Sequence, residues 1–123
     1  MQLKGVHHVS INVSDAGAAE RFYLEVLGLE KLDRPDFGFP GTWLGTPDGE
    51  QVHLIQVDNW VAPKGQHFSF RVEDLDGMRS HLQGRGVKVS EPNEIDGVCR
   101  QSFFKDPSGN LIEITQPVPA RAG

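Results

Sequence analysis

The feature that most constrains this chain is that it repeats itself. His8, Asp15, Gly28 and Gly49 are followed 59, 59, 58 and 60 residues later by His67, Asp74, Gly86 and Gly109. A register held that closely over four landmarks points to two copies of one supersecondary unit rather than to chance spacing of common turn residues. Each copy opens on a run, 7–13 and 66–72, that alternates polar and apolar residues, the period-two mark of a half-buried strand. Asp15 (with Ser14) and Asp74 then stand where a helix N-cap belongs, because a short side-chain oxygen satisfies the orphan amides of a first turn. In the first predicted helix Ala19, Phe22, Tyr23, Val26 and Leu27 share one face and Gly28 follows. In the second, Leu75, Met78 and Leu82 make a narrower stripe ending among Gly84 and Gly86, and glycine there suits a left-handed helix end. Short extended runs come next, at about 29–33, 41–46 and 50–57 in one copy and about 87–90, 98–105 and 110–116 in the other. Pro47-Asp48-Gly49 and Asp106-Pro107-Ser108-Gly109 mark the matching turns. Both copies therefore read β-α-β-β-β, an α+β architecture within one domain over 1–123. It comprises module one (5–57), a linker (58–66) with Trp60, Pro63 and Gly65, module two (67–116) and a proline-bearing tail (117–123) expected to fray.

Composition narrows the class of function. With 123 residues, 37% of them hydrophobic, the chain can bury a core without staples. No apolar stretch approaches the roughly 20 residues that span a bilayer, and the first ten residues carry no apolar signal core, so a cytoplasmic setting is expected. Twelve Lys and Arg against seventeen Asp and Glu give a net charge of −5 without a basic run, which argues against nucleic acid or an anionic membrane as partner. A small molecule is the expected ligand. Cys99 is the sole cysteine; it has no disulfide mate and no local metal-knuckle partner, and is expected to be a packed side chain.

Strand parity then selects candidate residues. If Val9, Ile11 and Val13 face the amphipathic helix, His8, Ser10 and Asn12 face the other side of the sheet; in the second copy Phe68, Phe70 and Val72 take the helix side and His67, Ser69 and Arg71 the opposite one. In the last strand of each copy, His53 and Glu113 each stand four residues beyond their hairpin glycine. Four symmetry-related positions thus carry metal-capable side chains: His8, His53, His67 and Glu113. Three imidazoles and one carboxylate suit a divalent transition ion (Zn, Ni, Co, Fe or Mn) better than magnesium or calcium. Taken singly, a strand histidine is more often a hydrogen-bonded surface or core group than a ligand; the symmetry is what favours the metal. His7, on the opposite parity, and His81, on a helix, are left out of the set.

These residues resemble a known family. The opening 7–15 (His-His-Val-Ser-Ile-Asn-Val-Ser-Asp), the helix segment Phe22-Tyr23 through Leu27-Gly28-Leu29 and the closing 104–113 (Phe-Lys-Asp-Pro-Ser-Gly-Asn-Leu-Ile-Glu) look like the vicinal oxygen chelate superfamily. That group includes glyoxalase I, fosfomycin resistance proteins, methylmalonyl-CoA epimerase, extradiol dioxygenases and bleomycin resistance proteins. The resemblance runs over about residues 5–116. It implies a glyoxalase-like half-open β-barrel of paired modules, a homodimer, and metal ligands at His8, His53, His67 and Glu113. Three-ligand members match His8, His67 and Glu113. The added His53 tilts toward a glyoxalase-like or epimerase-like centre, although those enzymes more often place Glu or Gln there. Non-metal members, such as bleomycin binders, generally lack the ligands.

The chemistry this implies is chelation of two adjacent substrate oxygens by the ion, with neutralisation of an enolate or alkoxide, in a lyase, isomerase, epimerase or thiol-addition reaction. Glu113 is the ligand that can also serve as a catalytic base. Parity suggests a substrate pocket from Ser10, Trp43, Gln51, Arg71, Gln101 and Phe103, with Asn12 and Ser69 beside them; Trp43 is the 60-residue partner of Phe103, and two such rings can hold a planar substrate. Packing is the competing role for Trp43 and Phe103, and solvent exposure for Arg71. Arg100, on the other parity, is left out. The loop 34–41, with Phe37 and Phe39, is a candidate lid or dimer contact. Two alternatives remain open: a drug-binding resistance protein without turnover, and an extradiol-type dioxygenase.

Overall fold

The computed structural model describes residues 1–119. It divides after Val61 into two units, and each holds one copy of the repeat. Module one runs β1 (His8–Val13), α1 (Ala16–Arg21), a π-helical turn (Phe22–Val26), β2 (Glu30–Leu32), β3 (Gly41–Gly45) and β4 (Gln51–Gln56); module two runs β5 (His67–Arg71), α2 (Leu75–Gly84), β6 (Asn93–Ile95), β7 (Cys99–Lys105) and β8 (Leu111–Pro117). The sheet orders are β1-β4-β3-β2 and β5-β8-β7-β6. In each, the first strand pairs parallel with the last, and the last pairs antiparallel with the strand before it.

The helices begin where the sequence places them. Asp15 Oδ1 accepts from the Ala18 amide and Asp74 Oδ1 from that of Gly77. A second tie was not expected: the side-chain oxygens of Gln56 and Gln116, 60 residues apart, accept from the Ala16 and Leu75 amides at 2.9 and 2.8 Å. The last strand of each module thereby holds the start of its helix, relieving a donor that has no intrahelical acceptor. Each helix lies on its own sheet, α1 on β3 and β4 and α2 on β7 and β8. Tyr23, Leu44, Leu54 and Val13 are fully buried in module one, and Leu75, Leu82 and Ile112 in module two. Cys99 is buried in the latter core as an unpaired thiol.

The helix ends differ by one residue, which the spacing already encodes. Ala16, Ala19 and Tyr23 lie 59 residues before Leu75, Met78 and Leu82, whereas the glycines Gly28 and Gly86 lie 58 apart, so module one carries one extra residue after Tyr23. α2 closes with Gly86 N–H on Gln83 O and Val87 N–H on Leu82 O, and Gly86 at φ +81°, the Schellman arrangement. In module one Leu27 N–H reaches Phe22 O and Leu29 N–H reaches Tyr23 O, with Gly28 at φ +75°. A π turn absorbs one residue without breaking the helix.

Three expectations are corrected. The run 87–90 is not the third strand from the end: Val87 completes the helix cap and Ser90 alone pairs with Phe103, by its amide to Phe103 O and its Oγ from Phe103 N. The ladder forms instead at Asn93–Ile95 against Cys99–Gln101, where a turn at Gly97 (φ +73°) closes the hairpin. The first helix is not one α-helix through Leu27. The tail also begins later, since Pro117 belongs to β8 and Val118 N–H bonds Val98 O; the fraying expected of residues 120–123 lies outside the described residues. No helix among those residues is long and apolar enough to cross a membrane.

Candidate metal centre

The parity argument holds on the first strand of each module. His8 and Ser10 are exposed on β1, Val13 is buried, and the same alternation runs along β5. Register then brings the neighbours of each proposed ligand together in equivalent ways. His53 lies opposite Ser10 on one side and Trp43 on the other; Glu113 lies opposite Ser69 and Phe103. The candidate ligands come in pairs, one pair per module: His8 with His53, and His67 with Glu113. Among the described residues no cluster of three or more His, Cys, Asp or Glu donors is gathered.

Module two brings its pair into direct contact. His67 Nδ1 lies 2.9 Å from Gly65 O and Nε2 lies 3.1 Å from Glu113 Oε1. A carbonyl only accepts, so Nδ1 donates to Gly65 O; Glu113 Oε1 also only accepts, so Nε2 donates to it here and is the nitrogen that would coordinate once that hydrogen is given up, the orientation that outer contacts impose on metal-bound histidines. Two donors about 2.1 Å from a common ion and roughly at right angles stand about 3 Å apart, so the pair fits a metal as well as it fits an ion pair. Glu113 is buried, with its carboxylate largely out of water, and His67 is more open. The Phe103 ring meets His67 edge-on at 5.3 Å.

Module one holds its pair in a different state. The His8 and His53 rings are stacked, 4.1 Å between centroids and 14° between planes, and His53 stacks in turn on Trp43 at 4.3 Å and 9°. In-plane lone pairs of near-parallel rings do not meet at one point, so a shared ion needs one ring to turn. His53 Nε2 also contacts Gln51 Oε1 at 2.8 Å. Burial first, and then the charges of His8, His7 and Arg34, hold the His53 imidazole below its ordinary pKa. A neutral ring is the form that binds metal.

His7, left out of the candidate set, lies against one of its members. It immediately precedes the first residue of β1, and its Nδ1 lies 2.9 Å from His8 Nδ1 with the rings edge-on. Of the proposed pocket residues, Trp43, Gln51 and Phe103 touch proposed ligands. Gln101 accepts from Asn93 Nδ2 at 2.9 Å, and Ser10 and Arg71 are exposed on their strands. Arg100 is held by Asp76 and Glu94, away from these groups. The loop before β3 adds to the stack: Phe37 lies 5.9 Å from Trp43 and 5.8 Å from Phe39, the Arg34 guanidinium covers both phenyl rings, and both are about half exposed.

Comparison with known proteins places the fold. A probable lactoylglutathione lyase of Vibrio cholerae is 30% identical, over 94% of this chain and 93% of the relative. Among solved structures, a putative glyoxalase family protein from Bacillus anthracis superposes with a TM-score of 0.86, covering 96% of this chain and 98% of that one at 23% identity. TnmS3, an antibiotic binding protein from Streptomyces sp. CB03234, superposes with a TM-score of 0.77 over 96% of this chain and 99% of that one at 33% identity. The duplicated α+β modules follow the glyoxalase-like fold. With the profile of the Glyoxalase/Bleomycin resistance protein/Dioxygenase superfamily matching residues 5–114, the chain belongs to that superfamily.

Proposed function

We propose that the protein is a divalent-metal-dependent enzyme of the glyoxalase-like type, with His8, His53, His67 and Glu113 as ligands, acting on a small oxygenated substrate by lyase, isomerase, epimerase or thiol-addition chemistry. The observation that carries this reading is the His67–Glu113 pair: two donors 3.1 Å apart, with the histidine fixed from behind by Gly65 O. The equivalent strands of module one carry His8 and His53. When bound, the ion supplies Lewis acidity to two adjacent substrate oxygens. The chain's own residues do the rest. Glu113 Oε1 takes a proton from the carbon beside the substrate carbonyl and returns it, a task for which its position beside the His67 ring holds it in place. Trp43 and Phe103 flank the ligands and exclude water from one side of the substrate. Ser10, Gln51, Arg71 and Gln101 supply polar contacts. Two copies form the working unit, in a cytoplasmic setting.

Metal analysis of protein purified without added metal tests the reading. About one transition ion per chain is expected, lost in His67→Ala; metal-free protein, or an ion content that ignores this substitution, rejects it. Trials of methylglyoxal with thiols, of catechols and of fosfomycin then define the reaction. A second reading, a binding protein without turnover, is favoured by the exposed Phe37–Phe39 pair continuing the Trp43 stack and by the similarity to TnmS3. It requires tight binding of a planar aromatic drug by metal-free protein.

A further inference from the structure

The first strands of the two modules each begin with a candidate ligand whose Nδ1 is already engaged. In module two the partner of His67 is Gly65 O; in module one the partner of His8 is the ring of His7, and both contacts measure 2.9 Å. Both come from the one or two residues just ahead of the strand. A neutral imidazole carries one hydrogen, so a partner that accepts at Nδ1 leaves the bare lone pair at Nε2 and decides which nitrogen faces an ion. His7 is exposed and contributes nothing to the core, and its ring meets His8 edge-on at 88° rather than by stacking. His8 is thus held from two directions, by its face on His53 and by its Nδ1 edge on His7.

We propose that His7 is a positioning residue: it accepts from His8 Nδ1–H and so presents His8 Nε2 for coordination, performing with a side chain what Gly65 O performs for His67. The inference rests on the four-ligand reading above. It differs from that reading in what it asserts, since His7 is not itself a ligand and acts only through His8. The chemistry of the two partners also differs. A carbonyl accepts under all conditions, whereas the His7 ring can accept or donate, so the orientation of His8 is the less firmly imposed of the two.

The test uses the whole chain labelled with 15N in its histidine rings. In the metal-free protein His8 is expected as the Nδ1–H tautomer. His7→Phe, which keeps a ring but removes the acceptor, is expected to shift His8 toward Nε2–H and to weaken Co2+ binding about ten- to a hundredfold. His7→Asn, whose amide oxygen can stand near the lost Nδ1, is expected to restore both. An unchanged His8 tautomer in His7→Phe overturns the proposal, as does Co2+ affinity equal to wild type in that variant. If His67→Ala binds Co2+ like wild type, the metal reading fails, and the tautomer measurement still decides the His7–His8 contact on its own.

Discussion

In the proposed enzyme, Glu113 is the residue assigned the proton transfer. It is buried beside His67, so replacing its carboxylate by an amide of the same shape leaves a ligand oxygen but removes the base. Glu113→Gln is expected to retain bound metal while turnover on the substrate found by screening falls about 10²- to 10⁴-fold. Undiminished turnover with metal present would falsify the role. His53 makes a prediction that needs no substrate. Its pKa is lowered by burial and by the nearby charges of His8, His7 and Arg34, so below about pH 6.5 the unfolded chain binds a proton that the folded ring resists. The unfolded state then holds more protons, and stability falls as pH drops from about 6.5 until the folded ring titrates. Urea midpoints at about pH 7.5 and 5.5 are expected to differ less in His53→Gln than in wild type; equal differences would contradict the assignment.

At the scale of elements, the sequence carried more than its hydrophobic pattern. The offset of 59 at the caps and 58 at the helix-ending glycines records one residue inserted after Tyr23, and the π turn Phe22–Val26 is where the structure holds it. Removing exposed Glu25 is therefore expected to yield a folded protein in which an ordinary turn replaces the π turn. Amide exchange of Leu27 should slow, because a regular i to i−4 bond replaces the i to i−5 bond of the π turn; loss of the folded far-UV spectrum would show that the extra residue is required. The third strand of module two was not legible. Val87 and Val89 alternate like a strand, but Val87 is consumed by the Schellman cap, and the ladder waits for a turn at Gly97 to bring Asn93–Ile95 against β7. Edge strands of three residues carry too little pattern to be placed from sequence, since their pairing depends on a partner many residues away.

For the whole molecule, an ion bound only by the folded state stabilises it by mass action. At a free concentration a hundredfold above the dissociation constant the gain is about 2.7 kcal/mol. For a chain of this length that corresponds to a rise of roughly 10 °C in the unfolding midpoint. Differential scanning calorimetry with and without a chelator is expected to show this shift in wild type and none in His67→Ala. An insensitive wild type would argue for the binding-protein reading. Much of the molecule follows from sequence alone: the duplication, the faces of the first strands, the caps at Asp15 and Asp74, and the neighbouring of His8 with His53 and of His67 with Glu113. Those features are local, set by the two-residue period of a strand and by the hydrogen-bonding reach of a short side chain. The tertiary structure alone decided the orientation of the rings. His53 lies between His8 and Trp43 with Gln51 on its Nε2, His67 is turned by Gly65 O, and His7 reaches His8 despite its parity. Parity states which face a side chain leaves by, but its rotamer is chosen by neighbours on other strands and in the segment ahead of its own.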